Sequence, residues 1–331
     1  MRIAVTLLVI ALAGVAVFGQ SPTLRVVTND PNLPSELFYG NVKVKPLRVR
    51  PGTNPPQIIT IDDSDFYVQQ QYVDFLNRMP DASGFTFWNN GIASCGANPS
   101  CIEVKRIDTS AAFFLSIEFQ DTGYLVERLY KAAYGDASGT STTGGSHQLA
   151  VPTVRFSEFI PDTKTIGQGV IVGQPGWPQA LEANKVSFTN AFVQRARFTD
   201  PAAFPTSMTP AQFVAKLNSN VGNLLTAQEQ NAAIAEFGGA GDTSNTAARA
   251  RALRDVAENS SFSQNGGAEF QRAFVLMQYF GYLRRDPNSG PDSDYSGYEF
   301  WLGKLNQFNG SYQNAEMVKA FISATEYRGR F

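Results

Sequence analysis

Tyr72-Val73-Asp74-Phe75-Leu76-Asn77-Arg78, followed by Asp81-Ala82-Ser83-Gly84-Phe85-Thr86-Phe87-Trp88, opens a pattern that this chain uses again near its C-terminus. There it reads Tyr279-Phe280-Gly281-Tyr282-Leu283-Arg284-Arg285, then Asp294-Tyr295-Ser296-Gly297-Tyr298-Glu299-Phe300-Trp301. Both copies share Asp-x-Ser-Gly-aromatic-x-Phe-Trp without a gap. Downstream, Phe113-Phe114-Leu115-Ser116-Ile117-Glu118-Phe119 matches Phe321-Ile322-Ser323-Ala324-Thr325-Glu326-Tyr327 in pattern. The recurrence identifies a repeat of roughly 55–75 residues. Phe66, Tyr72, Phe75 and Leu76 fall at helical spacing, so the expected fold is all-α: tandem helical units forming a bundle.

Two weaker copies lie between. Leu129–Gly135 resembles the Tyr-containing helix, and Trp177 takes the place of the tryptophan. Thr209-Pro210-Ala211-Gln212 and Thr226-Ala227-Gln228-Glu229 are capping boxes, the first with Pro at the first helical position. The expected units run 63–122, 123–200, 201–263 and 264–331. Residues 20–62 differ in texture, with Pro31, Pro34, Pro46, Pro51, Pro55 and Pro56 breaking short alternating runs. They suit an extended arm with short edge strands. Gly135–Gly145 is Gly/Ser/Thr-rich and reads as a mobile loop.

Residues 1–19 read as a cleaved secretory leader: Arg2, a short apolar run, and small residues at Val17 and Gly19, with cleavage after Gly19. The run is shorter than the ~20 residues that cross a bilayer, and no later segment is apolar enough to do so. The mature chain is expected to be secreted, periplasmic or on the cell surface. Its two cysteines, Cys95 and Cys101, sit in a Gly/Asn/Pro turn, which in an exported chain reads as a small disulfide loop.

Hydrophobic residues make up 43% of the chain, with 25 Phe, enough for a sizeable core, while charged residues are only 17% against ~25% in ordinary domains. Net charge is −2, and Lys and Arg are scattered. This argues against nucleic acid or an anionic membrane as partner, because both need a concentrated basic face.

In the motif, Asp81 and Asp294 each precede a helical run, where a carboxylate can accept first-turn N–H groups. The aromatic residue and Trp after Gly84 and Gly297 share one helix face. Trp88 and Trp301 read as core, with a sugar-stacking shelf as the functional alternative. Arg78 with Glu118, and Arg285 with Glu326, are expected to pair within their units, since a lone charge among apolar neighbours is expensive. The other reading is four unrelated surface charges. Asp292-Ser293-Asp294-Tyr295-Ser296-Gly297 has the opening rhythm of a calcium loop, but Gly303 stands where the closing bidentate acid belongs. Asp292 and Asp294 are therefore a weak calcium candidate, against the helix-cap reading.

The single histidine, His147, lies in the Gly/Ser/Thr loop, and no nucleophile elbow, phosphate loop, dinucleotide fingerprint or His-Glu-x-x-His is present. A carboxylate pair could still hydrolyse glycosides without leaving a fixed spacing. No catalytic residue is assigned.

The elements Tyr72…Leu76-Asn77-Arg78-x-Pro80-Asp81-x-x-Gly84-x-x-x-Trp88 and Ser116-x-Glu118-Phe119 resemble the domain of unknown function 4214, a family found in exported and surface-layer-associated bacterial proteins. The resemblance covers about 66–331, and departs in the last unit by inserting Asn288–Ser293 and by placing Ala324 where Ser116 stands. More distantly the motif is similar to the helical linker domain of cyanobacterial light-harvesting antennae. The resemblance implies a helical fold and an extracytoplasmic setting, and brings no active-site residues. The expected function is a non-catalytic module for protein interaction or cell-surface or matrix assembly, with self-assembly among its modes. The alternatives are a carboxylate-based hydrolase of surface glycans and a calcium-dependent surface protein.

Overall fold

A computed structural model describes residues 24–27, 35–39, 42–49, 57–263 and 267–331. The expected leader, residues 1–19, lies outside them. The chain divides into two compact units, Met1–Ile59 with Phe331, and Thr60–Arg330.

In the first unit the described backbone forms one antiparallel sheet in the order β1 (Leu24–Val27), β2 (Ser35–Tyr39), β3 (Val42–Val49), β4 (Ile58–Ile59). The sequence suggested only short edge strands. β3 instead pairs with a neighbour on each side, Ser35 of β2 opposite Leu47 and Ile59 of β4 opposite Arg48.

The second unit is predominantly helical. It begins with α1 (Ser64–Leu76), α2 (Ala82–Ala93), α3 (Pro99–Phe114) and the short α4 (Ile117–Phe119). A π turn at Gln120–Tyr124 leads without a break into α5 (Leu125–Tyr134). After an antiparallel hairpin of β5 (Asp136–Ser141) and β6 (His147–Pro152) come α6 (Phe156–Ile166), α7 (Trp177–Phe192), α8 (Ala196–Thr199), α9 (Pro210–Asn220), α10 (Ala227–Ala235), α11 (Thr246–Ala257) and α12 (Ser260–Ser263). The C-terminal part holds α13 (Ala268–Gln278) with a π turn at Tyr279–Leu283, then α14 (Ser296–Gln307), α15 (Met317–Ser323) and α16 (Thr325–Arg328). No described helix is long and apolar enough to cross a membrane.

Local sequence accounts for the helix starts. Thr209 and Thr226 cap α9 and α10 through reciprocal boxes with Gln212 and Glu229, each satisfying two otherwise unpaired backbone donors. Asn98 accepts from the Cys101 N–H at the head of α3. The adjoining Cys95–Cys101 disulfide, with Cα atoms 5.5 Å apart, ties the end of α2 to the start of α3.

The hairpin corrects two expectations, an all-α body and a mobile loop at Gly135–Gly145. Its polar sequence has no strand alternation; the contacts that fix it come from far along the chain. The Tyr295 N–H donates to Thr140 O at 2.8 Å. A β-carbon at Gly139 would lie 2.6 Å from the Tyr295 ring, so only glycine lets that ring lie on the strand.

The two motif copies meet in the aromatic core of the helical unit. Phe75 lies edge-on to Tyr282, its counterpart in the other copy, at 5.2 Å. Phe75 also meets Phe119 at 5.7 Å, and Tyr282 meets Tyr327 at 5.4 Å, all three with rings close to perpendicular. Edge-to-face packing of this kind adds about 0.5–1.5 kcal/mol per pair beyond burial of area. A β-carbon at Gly281 would collide with the Phe75 ring.

Candidate functional site

The motif builds the same constellation twice. α1 ends at Asn77 in the left-handed region (φ 52°), and the Arg78 N–H reaches back to Tyr72 O at 3.4 Å. The second copy ends at Arg284 (φ 57°), with the Arg285 N–H 3.4 Å from Tyr279 O. Asparagine adopts this conformation at little cost, whereas arginine does so less readily. The Arg284 side chain is correspondingly anchored, donating to Asp74 O at 3.1 Å and lying over the Phe156 ring.

Beyond this turn both arginines form two-pronged ion pairs. Arg78 gives Nε to Glu118 Oε1 at 2.7 Å and Nη2 to Oε2 at 2.9 Å. Arg285 gives Nε to Glu326 Oε1 at 2.6 Å and Nη2 to Oε2 at 3.0 Å. Each guanidinium also lies over a tyrosine ring, Tyr72 at 4.9 Å and Tyr279 at 5.4 Å. Burial opposes both charges, but the hydrogen bonds and the charge of the partner glutamate outweigh it and hold both arginines above their ordinary pKa. Burial, with the nearby Asp81 charge, pushes the Tyr72 phenol up to about 12, so it stays protonated.

The motif glycines have a specific reason. A β-carbon at Gly297 would fall 2.6 Å from the Tyr279 hydroxyl, and one at Gly84 would be closer still to the Tyr72 hydroxyl. Each tyrosine thus seats its hydroxyl on the following helix where a side chain would stand. The tryptophans are half-buried, which corrects the core reading. Trp88 packs on Phe113 at 5.8 Å and Trp301 on Phe321 at 5.6 Å. Their outer faces carry Phe87 and Phe300, which are 68% and 48% exposed.

The copies differ in what covers the arginine. In the first copy two adjoining hollows share Leu76 and Arg78. One, of about 320 Å³, is bordered by Tyr72, Asp81, Trp88, Phe113, Ile117 and Glu118. The other, of about 600 Å³, lies between Met79 and the loop at 167–171. The rim residues Met79 and Ile117 are 61% and 59% exposed. The remaining Arg78 nitrogen, Nη1, donates to Met79 O at 3.2 Å and stands 3.5 Å from Asp81. In the second copy the inserted segment lies on the fork. Arg285 Nη1 donates to Asp286 O, Pro287 O and Ser289 O, the last at 2.7 Å, and Nη2 meets Asp292 Oδ2 at 2.7 Å. Gly290, at φ +71°, closes on the aliphatic end of the same side chain.

The calcium candidates are placed accordingly. Asp292 pairs with Arg285, and Asp294 accepts the Ser296 N–H at 2.9 Å and the Thr142 hydroxyl at 3.2 Å. Asp81 caps α2 on the Gly84 N–H at 2.8 Å, and this bond, with Ser83, holds its carboxyl below the usual range. Asp294 differs: the backbone N–H it accepts is two residues on, and α14 begins after Tyr295 without a side-chain cap. No group of three or more His, Cys, Asp or Glu side chains among the described residues is arranged to hold a metal.

Two clusters escaped the sequence reading. His147 places Nε2 3.0 Å from Glu299 Oε1, and Glu299 Oε2 also receives the Ser141 hydroxyl. The carboxylate sits between serine and imidazole, the reverse of the order in which a histidine must contact a nucleophilic serine. Glu127, 2% exposed, faces Glu269, and burial together with this second carboxyl raises its pKa well above the usual range. The cavity beside them, lined by Tyr124, Arg128, Phe262 and Phe270, measures about 10 Å³, room for about one water. No sugar ring fits there. Neither cluster left a signal in the sequence, because each joins residues from distant helices and strands.

No family model, curated protein or solved structure matches the chain.

Proposed function

We propose that this protein is a non-catalytic interaction module built from tandem helical repeats, exported by its leader and acting in cell-surface or matrix assembly. The observation that carries the reading is the first motif copy: two adjoining hollows beside a charged fork, one lined by the exposed apolar side chain Met79 and the other by Ile117. Exposed apolar side chains grouped around a concavity mark interaction surfaces. The motif's resemblance to the domain of unknown function 4214, together with the disulfide, supports an extracytoplasmic setting, where such a bond persists.

The test is photo-crosslinking in intact cells from a reactive amino acid at Met79, with one at Val186, elsewhere on the surface, as control. A discrete protein adduct specific to position 79, whether self or partner, supports the module. Its absence removes the reading, and hydrolysis of surface polysaccharides becomes the assay of choice.

A further inference from the structure

Buried polar atoms are almost always hydrogen-bonded, because the water stripped from them has to be replaced. Three at one place are not. Glu127 Oε2, Glu269 Oε1 and the Tyr124 hydroxyl have no hydrogen-bond partner among the described residues. All three side chains line the same small cavity between α5 and α13. Its apolar walls are Phe262 of α12, Phe270 and Ala273, and the Tyr124 ring stacks on Phe270 at 5.0 Å.

The charges around the cavity treat the two carboxyls unequally. Glu269 Oε2 accepts from Arg272 Nη1 at 3.1 Å and lies 3.8 Å from Lys131 Nζ. Both cations also hold Asp136 of β5, at 2.7 and 2.6 Å. Glu127 feels the charges of Arg272 and Arg128 without an ion pair to either. Arg128 turns its Nε to Ala257 O of α11 at 2.8 Å, and Asp121 and Glu258 share its charge. Tyr298 of α14 faces both glutamates and gives its hydroxyl to Arg272 O at 3.1 Å. Two bare carboxylates turned to one another, with no donor between them, would repel where little solvent screens them. A single proton resolves this. On Glu127 it makes a donor for Glu269 Oε1, within hydrogen-bonding reach, and both orphan oxygens are satisfied.

We propose that one proton held between Glu127 and Glu269 fastens α5 to α13, so that the helical unit is firm in mild acid and loosens as its surroundings turn alkaline. Burial and the facing carboxyl raise the Glu127 pKa well above the unfolded value near 4.5. The stabilisation is therefore fully present below that value and is lost as pH rises through the raised folded one. Burial also raises the Tyr124 phenol, which keeps its own proton and is left to the one water the cavity can hold.

The test is infrared spectroscopy of the full chain, with Glu127→Gln as the main variant, because its amide is neutral and can still donate to Glu269. At about pH 7 the wild type should show the carbonyl stretch of a protonated carboxyl, and Glu127→Gln should lack it. In denaturation series the folding equilibrium of the wild type should fall about tenfold or more relative to Glu127→Gln between about pH 5 and pH 8. Glu269→Gln removes the facing negative charge and should move the titration of the band towards the ordinary glutamate range, a readout that survives if Glu127→Gln fails to fold. Either of two results overturns the proposal: no protonated carboxyl near neutrality that responds to these variants, or a stability difference between wild type and Glu127→Gln that does not change with pH.

Discussion

The N-terminal and C-terminal motif copies share a skeleton and differ in their covering. Both hold an arginine between a tyrosine face and a glutamate, and in both a glycine admits the tyrosine hydroxyl. The C-terminal copy closes its fork with an inserted loop and docks its helix start on the hairpin through Ser296 and Thr142. The N-terminal copy has no inserted loop; hollows border its fork, and the Val172 N–H donates to Glu118 at 3.4 Å. The comparison separates what the motif needs in order to fold, repeated in both places, from what varies around it. The copies also differ internally. Buried Gln71 accepts from Ser110 at 2.7 Å and donates to Tyr327, whereas its counterpart Gln278 has no partner for its carbonyl oxygen. Phe119 stands where the symmetric hydroxyl of Tyr327 would be needed.

The largest effect is expected from the arginines. Arg78→Met leaves the buried Glu118 without its cationic partner, and should cost up to about 3–5 kcal/mol, the range for stranding one member of a buried pair. Arg285→Met should cost at least as much although Glu326 is the more exposed glutamate, because the inserted loop loses its anchor as well. Denaturation midpoints showing Arg285→Met to be the milder change would break the equivalence of the two forks.

Next come the glycine seats. Gly84→Ala and Gly297→Ala should each destabilise by about 1–3 kcal/mol through overpacking. Adding Tyr72→Phe or Tyr279→Phe removes the clashing hydroxyl and should recover part of the loss, and a double-mutant cycle reads that coupling. Additive losses in both copies would show that the tyrosine hydroxyl is not what demands glycine.

The buried glutamines should separate the copies. Gln71→Met removes its bonds with the Ser110 and Tyr327 hydroxyls and should cost about 1–3 kcal/mol, whereas Gln278→Met removes an oxygen without a partner and should be neutral or stabilising. Equal losses in thermal melts would erase the distinction.

Among the acidic residues, Asp81→Ala should cost about 0.5–2 kcal/mol as the loss of a cap, towards the lower end for a partly exposed site, and Asp294→Ala less. Because folding lowers the Asp81 pKa, its contribution is fully present above the unfolded carboxyl value near 3.8 and is lost as pH falls through the lower folded value. The difference between wild type and Asp81→Ala should therefore shrink in melts taken below about pH 4. The smallest effect is expected from calcium. With Asp292 on Arg285 and Asp294 on Ser296 and Thr142, the melting midpoint should be the same in calcium and in chelator. A rise in calcium would show that the cation displaces Arg285 or Thr142 from these carboxylates.

Much of this was legible in the residues. A duplicated pattern exposes itself without any knowledge of contacts, so helical periodicity, the capping threonines and the Asp81 cap followed from local rules acting within a few residues. The pairing of Arg78 with Glu118 across a long separation was an inference from recurrence, because a charge repeated among apolar neighbours needs a partner repeated with it. The short cysteine spacing in a turn likewise brought Cys95 and Cys101 together before any coordinates did.

The rest depended on what lay opposite. Periodicity assigns Trp88 and Trp301 to a face of their helices but cannot say what covers that face, and here the cover is partial. The polar segment from Asp136 to Pro152 has no pattern of its own; Tyr295, Ser296 and Glu299 hold it as a hairpin from more than half the helical unit away in sequence. Asp292 read as a cation ligand because its spacing resembles one, and folding gave it an arginine instead. Hydrogen-bond and packing partners at long separation are fixed only when the chain closes on itself, and for this reason two nearly identical motifs end under different covers, the inserted loop on Arg285 and the Val172 backbone against Glu118.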